Sequence, residues 1–121
     1  MKIGDKFTTE EVATKTAGGD SYIRTKNNVV RGLAITLEKN PKAPDTIIVG
    51  DGVRIIKNAE LLAKTITPVK TFVKNDTNKW EYVGRYKVRK YSKSREVIEK
   101  YREHRLSKNV TGILFLEKKS D

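Results

Sequence analysis

The side chains able to carry covalent chemistry in this sequence are few. Hydrolysis or group transfer needs a nucleophile beside a base, paired carboxylates or a metal cluster, and the chain offers one histidine, His104, and no cysteine. His104 stands between Glu103 and Arg105 in a charged stretch, the setting of a surface helix residue and not of a general base. The absence of cysteine excludes disulfides and thiolate metal sites, and a single histidine excludes a histidine-rich zinc site. Asp45 and Asp51 are the carboxylates worth weighing as a metal pair, yet each adjoins Pro or Gly and reads as a turn former. Gly50-Asp51-Gly52 has neither the lysine and spacing of a phosphate-binding loop nor the glycine spacing of a dinucleotide fingerprint. The expectation is a protein that is not an enzyme, has no metal and no cofactor, and acts by binding.

What it would bind is suggested by charge. There are 26 basic and 15 acidic residues, a net charge of +11. Residues 85–108 hold 10 basic and 3 acidic groups, so one quarter of the chain carries most of the excess. Solubility does not require one sign concentrated in one place, whereas a clustered positive field attracts polyanions, nucleic acid foremost. The three acids, Glu96, Glu99 and Glu103, fall in a helical stretch where they can pair with neighbours such as Lys100 and Arg102. Arg85, Lys87, Arg89, Lys90 and Lys93 have no acid among them in sequence and are candidate phosphate contacts.

These cations belong to the stretch that organises the chain, Lys79 to Tyr91. It alternates with period two: Trp80, Tyr82, Gly84, Tyr86 and Val88 fall on one face, with Lys79, Glu81, Arg85, Lys87 and Arg89 on the other. Successive side chains of a strand point to opposite sides of its sheet, so this pattern predicts a half-buried strand. Gly84 among such large residues predicts a bulge or a close approach by another group.

The other elements follow in order. Lys2-Ile3 is a short opening strand candidate. Thr8 and Glu11 have capping-box spacing, predicting a helix to about Thr16 that stops at Gly18-Gly19. Ser21 to Asn28 is polar and reads as a loop with an Asn-Asn turn; its Tyr22, Arg24 and Lys26 are candidate nucleic-acid contacts. Val29 to Leu37 alternates as a strand, and Glu38 to Asp45, with Pro41 and Pro44, is a loop. Thr46 to Val49 and Val53 to Ile56 read as strands around the Gly50-Asp51-Gly52 turn, and Asn58 as the cap of a helix over Ala59 to Lys64. Pro68 to Lys74 is a strand closed onto the organising strand by Asn75 to Asn78. Ser94 caps a helix from Arg95 to about Leu106 with Val97, Ile98, Tyr101 and Leu106 as its apolar stripe, and Val110 to Leu116 is the last strand. Six or seven strands and two or three short helices in one domain, residues 1–121, predict an α+β fold around a small, strongly curved, mostly antiparallel sheet or barrel. No apolar run approaches the length of a membrane span.

Several segments, in this order, resemble the SRA/YDG-like domains of the PUA-like superfamily, curved-barrel readers of modified bases found in bacterial modification-dependent restriction proteins and in eukaryotic chromatin factors. They are Ile3-Gly4-Asp5-Lys6-Phe7, Ile47-Ile48-Val49-Gly50-Asp51-Gly52, Asn58-Ala59-Glu60-Leu61, Pro68-Val69-Lys70-Thr71-Phe72 and Trp80 to Val88. They are similar to the family's opening Gly-Asp-x-Phe, its Tyr-Thr-Gly-x-Gly-Gly turn, its Asn-x-x-Leu helix start, its Pro-Val-Arg-Val strand and the Tyr-Asp-Gly strand that names it. The name-giving triplet is here Tyr82-Val83-Gly84, and Thr36 to Asp45 stands where the family has its Tyr-x-Asp-Asp pocket segment.

The resemblance implies a PUA/SRA-like barrel that binds double-stranded DNA and holds an extruded or modified base. Trp80 and Tyr82 would be stacking or wall residues, and Asn40, Asp45 and Asp51 would lie at the base pocket. With no membrane-length apolar run the expectation is a soluble cytoplasmic protein, and the resemblance implies a bacterial or phage origin and work beside a nuclease fused to it or encoded nearby. Two other readings stay open: a PUA-type RNA-binding domain, and a protein-interaction module whose charge meets an acidic partner. Any base pocket should lie between the Asn40–Asp45 loop, the Gly50-Asp51-Gly52 turn and the start of the organising strand.

Overall fold

The fold is described from a computed structural model, which covers residues 1–19, 21–103, 105 and 109–120. Seven strands form one sheet: β1 (Lys6–Phe7), β2 (Ile23–Lys26), β3 (Val29–Thr36), β4 (Thr46–Val49), β5 (Val69–Asp76), β6 (Lys79–Ser92) and β7 (Gly112–Ser120). Among the described residues three α-helices accompany them: α1 (Thr9–Thr16), α2 (Val53–Lys64) and α3 (Arg95–Tyr101). The strand order is β2-β3-β5-β6-β7-β4, with β1 beside the start of β6. All pairs are antiparallel except β3 with β5. The result is a curled half-barrel of the α+β class, as the element pattern predicts.

The two faces of this sheet are covered by different helices. On one, Leu33, Ile35, Ile47, Val49, Leu114 and Leu116 join Ala59 and Leu62 of α2. Their strand neighbours point the other way: Ala34, Phe72, Trp80 and Tyr82 pack with Val12 of α1, and Ile48, Ile113 and Phe115 pack with Val97, Ile98 and Tyr101 of α3. Strands buried on both faces lose the clean polar–apolar alternation of a half-solvated sheet.

β6 corrects the expectation that its apolar residues share one face. Thr71 pairs with Gly84 but Phe72 with Tyr82, so Val83 is an extra residue in β6. Such a bulge shifts the alternation by one. Trp80 and Tyr82 therefore join the α1 cluster, while Tyr86 and Val88 join the α2 cluster with Val69. Gly84 takes φ +114°, a conformation open to glycine and costly for other residues.

Four further expectations are corrected. The opening strand is Lys6–Phe7, after a turn at Gly4, and not Lys2-Ile3. Ser21–Asn28 is no loop: Ile23–Lys26 pairs with β3 across an Asn27-Asn28 turn with φ of +55° and +62°, the two-residue hairpin that right-handed strand twist favours. Val53–Ile56 is helical, the start of a twelve-residue α2 capped at Gly52, so Asn58 lies inside the helix. Ile55, Ala59 and Leu62 are spaced four and three apart, and burying that stripe overrides the β-propensity of Val53, Ile55 and Ile56. Finally, α3 ends at Tyr101, and Ser94 begins it without a side-chain cap bond. His104 and Leu106, expected in this helix, lie outside the described residues. α1 is as expected, with Thr8 and Glu11 bonding reciprocally, although it ends on a left-handed Ala17 one residue before the glycines. No helix among the described residues is long and apolar enough to cross a membrane.

Candidate functional site

The two edge strands of the curled sheet, β2 and β4, are joined by side chains where the backbone ladder ends. The Tyr22 hydroxyl donates to the Ile48 carbonyl at 3.1 Å, and the Ile48 amide donates to Asn40 Oδ1 at 2.7 Å. Both outward backbone groups of Ile48, at the centre of β4, are thus satisfied, as an edge buried in the fold requires. From the other side, Asn58 Nδ2 donates to Ile23 O at 3.4 Å. Burial pushes the Tyr22 hydroxyl up to about 12, against the smaller opposing effects of a Gly50 backbone hydrogen bond and the Arg105 charge. It stays protonated, and donating, at any physiological pH.

Over this seam opens a cavity of about 610 Å³. That lies within the range of small-molecule sites, about 300–1,000 Å³. Ala34, Ile55 and Trp80 supply its apolar wall, Tyr22, Arg24 and Asn40 its inner polar groups, and Glu38, Lys39, Arg105 and Asn109 its outer ones; Ser21, Thr36 and Gly50 complete the lining. Asn40 and Arg24 are 2% and 7% exposed. Arg24 Nε donates to Ser21 O, and Arg105 Nη2 donates to Lys39 O at 2.6 Å. Trp80 is held by Nε1 donating to Thr9 Oγ1 at 3.1 Å, with Lys74 Nζ 5.7 Å from the ring centroid. A second, polar recess of about 300 Å³ at the β5–β6 turn shares Thr36 and Glu38 with the first.

The residues singled out from the sequence divide into three groups. Tyr22, Arg24, Asn40 and Trp80, from three separate segments, meet at the cavity, between the Asn40 loop, the Gly50 turn and the start of β6. Asp45, Asp51 and Tyr82 are not in its lining: both aspartates are exposed, and Tyr82 is fully buried against Phe72, ring centroids 5.4 Å apart. Lys26 is exposed at the end of β2, outside the cavity. The basic residues of β6 form a different surface, and none lines the cavity.

That surface is less uniform than the sequence suggests. Lys93 Nζ pairs with Glu60 of α2 at 2.5 Å, which raises the Lys93 pKa through the hydrogen bond first and then the Glu60 charge. Lys87 stands opposite Glu117 of β7. Glu117 is held below its usual value chiefly by its hydrogen bond to Lys119 and that residue's charge, with lesser help from Arg89 and Lys87. Arg89 lies 5.2 Å from the centroid of Phe115. Arg85, Arg89 and Lys90 are exposed and Lys87 half-buried. Among the described residues no cluster of His, Cys, Asp and Glu could hold a metal ion.

Ser21, Ala34, Thr36, Glu38, Lys39, Ile55, Arg105 and Asn109 also line the cavity without being marked by the sequence, whereas Gly50 belongs to the turn expected beside it. Glu38 and Lys39 adjoin Asn40 in the loop and were within reach of it. Ile55 was hidden by the strand reading of α2, and Arg105 comes near only through the closure of the fold.

The curled half-barrel sheet with its three helices has the fold of an SRA domain. The SRA domain of SUVH5, solved in a complex with methylated CHH DNA, superposes with a TM-score of 0.66 at 16% sequence identity, covering 98% of this chain and 89% of that one. The chain belongs to the family described as a domain of unknown function, DUF6697, whose profile matches residues 6–108. No curated protein matches it.

Proposed function

We propose that this chain is a DNA-binding module that holds an extruded, modified base in the seam cavity and meets the phosphate backbone with basic groups. The observation that carries this reading is the cavity itself. It joins an aromatic wall, Trp80, to buried polar groups, Arg24 and Asn40, on a fold shared with a domain solved on methylated DNA. Extrusion costs a few kcal/mol in lost stacking and pairing, which contacts to the flipped base must offset. Asn40 is suited to contact a base edge because its Oδ1 is fixed by the Ile48 amide, leaving Nδ2 to the cavity. Lys39 and Arg105 are the outer cations beside the cavity, and Arg85, Lys87, Arg89 and Lys90 extend the positive surface along β6.

The test is a binding panel at fixed salt, using DNA and RNA duplexes with and without base modification, for the natural chain and Gly50→Phe. Gly50 lines the cavity, and a Cβ there meets only the Asn109 carbonyl at 3.6 Å, an ordinary contact, so the position accepts a side chain. The expected result is preference for modified DNA, lost in Gly50→Phe while salt-sensitive, sequence-independent binding remains. Equal affinity of the two proteins for every duplex would refute a role for the cavity.

A further inference from the structure

We infer that the cavity receives a negatively charged, hydrogen-bond-accepting group, so that the base it holds carries a carboxyl-type substituent and not merely a methyl; this rests on the base-holding reading above. Four acceptors around the cavity are already engaged. Asn40 Oδ1 accepts from the Ile48 amide at 2.7 Å, the Ser21 carbonyl from Arg24 Nε, the Lys39 carbonyl from Arg105 Nη2 at 2.6 Å, and the Gly50 carbonyl from Thr111 Oγ1 at 2.8 Å. The Tyr22 hydroxyl donates its proton to Ile48 O and is faced by the Gly50 backbone.

Beside these engaged acceptors and the exposed Glu38 carboxylate, the lining offers donors and cations. Asn40 Nδ2 must be a donor, because its amide orientation is fixed by the Ile48 bond. Lys39 Nζ and Arg105 are cationic donors at the outer wall. The formal charges of the lining are those of Arg24, Lys39 and Arg105 against Glu38, and Glu38 is exposed at the outer part of the cavity.

A methyl substituent would use none of these donors and would take water from them without replacement, an unfavourable exchange. A carboxylate would satisfy them, and hydrogen bonds between charged partners are roughly twice as strong as neutral ones. The same chemistry is offered by a terminal phosphate, so the experiment separates the two sources.

Binding of the full chain is measured by fluorescence anisotropy at fixed salt to four duplexes: unmodified, with one central 5-methylcytosine, with one central 5-carboxylcytosine, and unmodified with a 5′-terminal phosphate. The 5-carboxyl duplex should bind at least about tenfold more tightly than the 5-methyl duplex. The terminal phosphate should add nothing. A 5-carboxyl affinity equal to or below that of 5-methyl, with 5-methyl still above unmodified, overturns this inference and leaves the base-holding reading standing. No difference among modified and unmodified duplexes refutes both. A gain from the terminal phosphate matching that from the carboxyl overturns the assignment to a base substituent.

Asn40→Asp preserves an acceptor for the Ile48 amide but replaces the inward donor with a negative charge at a buried position, so the carboxyl preference should disappear, with some loss in melting temperature from the buried charge. Lys39→Glu, at an exposed position, should cut the preference several-fold without touching the fold. Retention of the full preference in a folded Asn40→Asp or in Lys39→Glu overturns the inference.

Discussion

Tyr22→Phe isolates the side-chain latch that closes the sheet, and its effect should depend on pH in a way few single substitutions do. Removing the hydroxyl deletes the 3.1 Å bond to the Ile48 carbonyl and leaves that edge-strand acceptor without its partner. Such a loss costs about 1–2 kcal/mol, or roughly 3–10 °C in melting temperature for a chain of this size. In the natural protein burial raises the hydroxyl from 10.0 to about 12. Since the folded-state value lies above the unfolded one, the unfolded chain releases its proton first. The stability this group contributes is therefore intact below pH 10 and is lost as pH rises through the window to about 12. Two units correspond to about 2–3 kcal/mol at most, comparable with the hydrogen bond itself. Phenylalanine has nothing to ionise. The natural chain should be the more stable below pH 10, and the two unfolding free energies should converge or cross near pH 12. Denaturant titrations at a series of alkaline pH values measure this directly, because the other ionisable groups are common to both proteins. A gap that stays constant across the window would show that Tyr22 is not buried at the seam as described.

Other expectations follow from separate parts of the molecule. Gly84→Ala should destabilise by about 1–3 kcal/mol, because alanine at φ +114° is strained; unchanged denaturant midpoints would remove the bulge argument. Replacing Lys87 and Arg89 together with alanine should weaken binding to all DNA sequences and flatten the slope of log affinity against log salt by roughly two units. An unchanged slope would leave β6 with only a solvated face. Lys93→Ala should change the slope less than either, since Lys93 is already paired with Glu60; an equal change would mean that the pair opens when DNA binds.

How much of this was legible depended on whether the controlling interaction was local. The capping box of α1, the Asn27-Asn28 turn and the β5–β6 hairpin are set by neighbours in sequence, and their residues announce them. The organising strand was equally clear, but its change of face was not: a bulge at Val83-Gly84 is a matter of pairing with Thr71 and Phe72, and Gly84 only hinted at it. Val53–Ile56 misled because four residues of β-branched and polar type fit a strand, while the helical stripe becomes visible only with Ala59 and Leu62 included. β2 was hidden by its polarity, since Arg24 is buried although nothing nearby in sequence demands it. Tyr22, Arg24, Asn40 and Trp80 meet at one cavity although the sequence reading divided them between two roles, backbone contact and base pocket. Asp45 and Asp51 were drawn in by the chemistry of their side chains, yet both point to solvent from turns. Arg105 joins the cavity only because the segment after α3 returns beside Lys39, which no local pattern encodes.

The claim that a base leaves the duplex and enters the seam cavity is tested most directly by the fluorescence of 2-aminopurine placed next to a single modified base in the same strand of a duplex. Loss of its stacking partner raises its emission. Saturating amounts of the natural chain should produce a clear rise with the modified duplex, and Gly50→Phe should bind without producing it. Full binding of the natural chain with no change in emission would contradict base extrusion.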